Sequence, residues 1–154
     1  MTSEPESKTD QRVVAAVERV ILGGVAITAR ALDGEAEDLT FPQWRVLMIL
    51  GEQESDSHVA GVGDRVGVSA PSASRLLRRL EDRGLIELQR DLRDRRYMRV
   101  HLTTAGRAVF DRVLHRRRVL IQEALDAADG RIPHDLPTTV EALGAIGEAL
   151  IRRA

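Results

Sequence analysis

The sequence predicts a mainly α-helical protein with one small β-hairpin, and three observations carry that expectation. Apolar residues recur at helical spacing through most of the 154 residues. A single segment, 97–102, alternates apolar and polar in strict period two. Aromatic residues make up only 3% of the chain against 43% hydrophobic, so Leu, Val, Ile and Ala must build the core, which suits packed helices better than a sheet.

Residues 1–10 mix Pro, Ser and charge without apolar periodicity and read as a disordered tail. Val13, Val17, Val20, Ile21, Val25 and Leu32 mark a helix over 11–32, with Gly23 and Gly24 as a candidate kink or close crossing. Thr40 and Gln43 form a capping box and Leu39 with Trp44 a hydrophobic staple, so a second helix starts at Phe41 and runs to about Glu52. A polar link over 53–58 leads to a short helix over 61–66. Gly67 then suits a turn and Ser69 an N-cap. Residues 70–83 form the next helix on the stripe Ala73, Leu76, Leu77 and Leu80, stopped by Gly84. Strands over 85–89 and 97–102 flank the charged loop RDLRDR. Thr103 caps a long helix over 104–128, and Leu136, Val140, Leu143, Ile146, Leu150 and Ile151 give a last amphipathic helix after Gly130 and Pro133.

A short helix, a tight turn, a second helix and then a hairpin is the winged helix-turn-helix arrangement. The expected organisation is a tail (1–10), an N-terminal dimerisation helix region (11–38), a DNA-binding lobe (39–102), and a long helix with a C-terminal dimerisation helix (103–154). The net formal charge of −1 argues against nucleic-acid binding when taken alone. Its distribution does not: residues 69–99 hold nine arginines against five carboxylates, a local +4 that leaves −5 on the remainder.

Winding the 70–83 helix at 100° per residue sets Pro71, Ser74, Arg75, Arg78 and Asp82 opposite the leucine stripe. Arg75 is the candidate base reader, because a guanidinium grips guanine O6 and N7 together. Ser69, Ser72 and Ser74 lie at the positive helix N-terminus, where phosphates or base edges suit them. Arg78 and Arg79 are placed on the DNA backbone. A solvated helix face is the plain alternative. In the wing, Arg90, Arg93, Arg95 and Arg96 flank a loop too polar to pack, and Arg95 or Arg96 is the candidate for minor-groove insertion. Asp94 can hold Arg96 extended in a bidentate pair or simply form the turn.

QWRVLMIL at 43–50, DRVGVSAPSASRLLRRLEDRGLIE at 64–87 and RDLRDRRYMRVHLTTAG at 90–106 together resemble the MarR family of multiple antibiotic resistance regulators. The resemblance covers nearly the whole chain after residue 10. It implies a homodimer formed by the terminal helices, a fourth helix in the major groove, and an Asp-x-Arg wing element, here Asp94 with Arg96, whose arginine enters the minor groove. It departs from the family pattern at Gly61 and Gly63 in the short helix. It also implies an aromatic or phenolic effector among the first, second and long helices, near Trp44, Arg45 and His115. Trp44 at a staple position is first of all a core residue, and the Arg116 to Arg118 run beside His115 first of all a solvated face.

Without cysteine there are no disulfides, thiolate metal sites or thiol redox sensors. His58, His101, His115 and His134 lack the helical spacing of a metal site, so neither metal nor cofactor is expected. No Gly-rich phosphate loop, nucleophile elbow or HExxH suggests an enzyme. Apolar runs are too short for a membrane span, pointing to a soluble cytoplasmic protein. The expected function is a ligand-responsive repressor that binds double-stranded DNA at a palindromic operator as a homodimer. The competing reading is a winged-helix protein-interaction or dimeric scaffold module without specific DNA binding.

Overall fold

The computed structural model describes residues 8–36, 38–52, 57–91, 94, 96–128 and 136–153. Among the described residues, six helices and three strands follow the order α1 (Lys8–Glu35), α2 (Phe41–Gly51), β1 (Ser57–His58), α3 (Val59–Val66), α4 (Ala70–Asp82), β2 (Ile86–Arg90), β3 (Met98–Leu102), α5 (Thr104–Ala127) and α6 (Leu136–Arg153). Helix α1 starts three residues before the expected Gln11 and runs unbroken past Gly23 and Gly24, where an added Cβ would meet nothing within 4 Å. Within the chain, those glycines mark neither a break nor a crossing.

Local chemistry sets the ends of the central helices. The Thr40 N–H donates to Gln43 Oε1 (2.9 Å), one half of the expected box, and Leu39 and Trp44 are both buried beside it. Gly67 takes the left-handed conformation (φ 73°) that turns α3 into α4, a backbone state costly for other residues. Gly63, unexpected in a helix, is buried where an added Cβ would stand 3.0 Å from the Ala73 Cβ. Its absent side chain lets α3 approach α4. Thr103 accepts from the Gly106 N–H (3.0 Å) to cap α5 and donates its hydroxyl to the Gly84 carbonyl (2.6 Å), fastening the end of α4 to the start of α5.

The hairpin gains a third strand that the sequence pattern did not reveal. Ser57–His58 pairs antiparallel with β3, opposite Val100 and Arg99, giving the order β1-β3-β2. In the hairpin itself Leu88 faces Val100 and Arg90 faces Met98. Val100 is fully buried while Met98 stays exposed at the far end, so the sheet is covered only at its base.

One core joins the elements. Val46 and Leu47 of α2, Val62 of α3, Leu77 and Leu80 of α4, Ile86, Val100 and Val113 are all essentially inaccessible. Trp44 stacks on Phe110 of α5 with ring centroids 5.8 Å apart. The second half of α1 reaches the core through Ala31 and Leu32 and packs along α5. Apolar side chains of its first half remain exposed, among them Val13, Val20, Ile21 and Leu22. Among the described residues, α6 has no substantial packing partner and exposes Val140, Leu143, Leu150 and Ile151.

Candidate nucleic-acid interface

Helix α4 buries Ala73, Leu77 and Leu80 and half-buries Leu76. The opposite face follows from that stripe: Pro71, Ser74, Arg75, Arg78 and Arg79 are all exposed, with Ser72 half-buried at the edge. Ser69 has the extended backbone of an N-cap (φ −60°, ψ 151°), but its hydroxyl makes no cap bond. It donates instead to Ser72 Oγ (3.1 Å), which also accepts from Arg75 Nη2 (3.3 Å). The first turn of α4 therefore lacks a side-chain cap, and uncapped N–H groups at a helix N-terminus suit phosphate oxygens. At the other end, Arg83 Nη1 donates to the Asp38 carbonyl (2.7 Å), so this arginine ties α4 to the α1–α2 connection rather than to the reading face.

The wing presents its charge through a fork. Arg96 Nε donates to both carboxylate oxygens of Asp94 (3.0 and 3.2 Å), and Nη2 donates to Oδ2 at 2.7 Å. The Arg96 backbone N–H also donates to Asp94 Oδ1 (3.0 Å), so Asp94 turns the loop and holds the guanidinium at once. Of the two roles open from residue type, it fills both. These hydrogen bonds hold the Asp94 carboxyl below its usual pKa and raise that of Arg96. The Arg96 side chain is 85% exposed, so the fork aims the charge without hiding it. Arg90 is exposed at the end of β2, while Arg93 and Arg95 lie outside the described residues.

Beneath the fork sits a residue to which sequence reasoning gave no role. Asp91 is 4% exposed, and its Oδ2 accepts from Arg99 Nε (2.6 Å) and lies 3.3 Å from His58 Nε2. Its Oδ1 accepts from the Asp94 N–H (3.2 Å). Only its place in the RDLRDR loop could have drawn attention to it. Among the described residues no group of three or more His, Cys, Asp or Glu is placed to hold a metal ion. No helix there is long and apolar enough to cross a membrane.

The three residues expected near an effector have different surroundings. Trp44 is buried on Phe110, Arg45 is exposed and donates to the Arg65 carbonyl (3.1 Å), and His115 is exposed on α5. None of them lines the open cavity of about 380 Å³ bounded by Glu35, Leu39, Arg83, Leu85, Val109 and Arg112. A different side chain between α2 and α5 stands out. Arg117 is half-buried, its Nε is shut off from solvent without a hydrogen-bond partner, and Nη1 has the Met48 thioether at 3.7 Å. Burial lowers its pKa, opposed by the charge of Glu52.

A model of the MarR family matches residues 37–96. The chain is 38% identical over 72 residues to the HTH-type transcriptional regulator TtmR of Methylorubrum extorquens, an alignment spanning 47% of this chain and 36% of that protein. The chain thus aligns with little more than a third of that relative's length. The solved structure of RV1404 from Mycobacterium tuberculosis matches with a TM-score of 0.79 at 30% identity, covering 94% of this chain and 95% of that one. NadR, solved in complex with 4-hydroxyphenylacetate, shares the fold at 19% identity, with a TM-score of 0.64 over 98% of this chain and 97% of its own. The chain belongs to the MarR family of winged helix-turn-helix DNA-binding transcriptional regulators.

Proposed function

We propose that the protein is a cytoplasmic, ligand-responsive repressor without catalytic activity, which binds a near-palindromic operator as a homodimer. The observation that carries the DNA reading is the Asp94–Arg96 fork, which fixes an exposed guanidinium on the wing that follows the arginine face of α4. Base readout falls to Arg75. Ser69, Ser72 and Ser74 meet phosphates or base edges beside it, with Pro71 on the same face, Arg78 and Arg79 hold the DNA backbone, and Arg90, Arg93 and Arg95 supplement Arg96 on the wing. Apolar side chains left exposed on α1 and on α6 support dimerisation, since exposed apolar helix faces are covered by a partner surface. Two copies would read two half-sites about one helical turn apart.

The effector reading rests on Arg117 together with the phenolic acid held by NadR. A half-buried guanidinium whose Nε has no acceptor among the described residues is a natural seat for an organic carboxylate. Trp44, Arg45 and His115 lie on the same two helices, α2 and α5.

Selection of bound fragments from genomic DNA tests the DNA reading: recovery of one near-palindromic sequence is expected. Failure to enrich any duplex would favour the winged-helix scaffold instead. For the effector, 4-hydroxyphenylacetate should raise the melting temperature of the wild type and leave Arg117→Gln unmoved, because a ligand specific for the folded state stabilises by mass action. Equal shifts in both would place the ligand elsewhere.

A further inference from the structure

The fork on the wing surface stands on a buried carboxylate. Asp91, the residue after β2, takes donors from two other strands and from the loop: Arg99 Nε on β3 (2.6 Å), His58 on β1 (3.3 Å) and the Asp94 N–H (3.2 Å). The backbone closes the same loop, with the Asp91 N–H donating to the Tyr97 carbonyl and the Tyr97 N–H to the Asp94 carbonyl, both at 3.0 Å. The His58 ring meets the Tyr97 ring edge-on, centroids 5.5 Å apart.

We propose that Asp91 is the positioning residue of the wing: by gathering β1, β3 and the loop on one carboxylate, it sets where the Asp94–Arg96 fork stands. The proposal rests on the reading of Arg96 as a groove contact. A loop carboxylate that only formed a turn would bond its near neighbours, whereas Asp91 reaches partners 8 and 33 positions away. A buried carboxylate is tolerated where cations and N–H groups satisfy it, and here each donor belongs to a different segment. Neutralising it therefore loosens all three together. The same contact decides which arginine faces the DNA. Arg99, 35% exposed, is held against Asp91, while Arg96, 85% exposed, projects outward. Asp91 thus separates two of the wing's cations, Arg99, which braces, and Arg96, which reads.

The test is a double-substitution cycle in the full chain with Asp91→Asn, Arg96→Ala and the pair, read in two ways. Without DNA, the Arg96 Nε–H resonance reports the fork, and Asp91→Asn should move it toward the position of a solvated guanidinium. With a fluorescent duplex carrying an A-tract, whose narrow minor groove attracts arginine, Asp91→Asn should weaken binding by as much as Arg96→Ala, on the order of tenfold. The double variant should then bind no more than about twofold more weakly than Arg96→Ala. Equal losses from Asp91→Asn in the two backgrounds, or an unmoved Arg96 resonance, would overturn the proposal. Should Asp91→Asn fail to fold, His58→Ala and Arg99→Gln each remove one anchor, and the same non-additivity with Arg96 is required of them. If the wild type binds no duplex, the groove reading fails while the resonance still decides the role of Asp91.

Discussion

Arg96 carries charge outward because a carboxylate two positions earlier grips it at two points instead of leaving a long side chain free to swing. The pH dependence of that grip has a definite sign. The folded-state pKa of Asp94 is depressed, so its contribution is fully present above the unfolded value of about 3.9 and is lost only as pH falls through the lower folded value. A carbon-detected titration of the Asp94 carboxyl should therefore find its midpoint below that of a free aspartate, with the fork unchanged from neutral pH down to about 5. A midpoint at or above the free value would contradict the pairing. From the residues the fork is one of two roles open to Asp94, legible because the partners are neighbours, and the resemblance to the MarR family favours it. Asp91 is not legible in the sequence, since its role depends on His58 and Arg99, brought to it by the sheet. Arg117 is another such case, as the unpartnered Nε follows from how α2 meets α5.

Helix α4 was readable almost residue for residue. A leucine stripe at helical spacing settles which face is buried, and hence which face carries Pro71, Ser74, Arg75, Arg78 and Asp82, all exposed, with Arg79 exposed beside it. On that face Arg75→Ala should narrow the affinity gap between selected and random duplex, and Arg79→Ala should weaken both alike. Competition binding against the two duplexes separates these outcomes, and uniform losses from both variants would merge the two roles. Strand β1 escaped notice because two residues carry no periodicity, and its pairing with β3 is a tertiary event. Gly63 looked like a flaw in α3 until the packing on Ala73 explained it. The turn between α3 and α4 makes its own demand. Gly67→Ala should cost on the order of 1 kcal/mol by denaturant unfolding, because the left-handed conformation persists while the residue that favours it is gone.

Across the whole molecule, charge and apolar surface are segregated. Arginine surplus is concentrated in 69–99 although the chain as a whole is slightly acidic. Most exposed large apolar side chains among the described residues lie instead on α1 and α6, with Tyr97 and Met98 exposed on the wing itself. Ile21→Glu combined with Ile151→Glu should raise the dimer dissociation constant at least tenfold, about 1.4 kcal/mol. Analytical ultracentrifugation would read this directly, and an unchanged dimer would move the interface elsewhere. The pair should also weaken binding to a two-half-site duplex while leaving the monomer folded.

The salt dependence of duplex binding bears most directly on the central claim that this surface reads DNA. Affinity for the selected duplex should fall linearly in a double-logarithmic plot against salt, with a slope of several units from counterion release. Arg96→Ala should reduce that slope by about one. Binding that ignores salt, or a slope indifferent to Arg96, would contradict it.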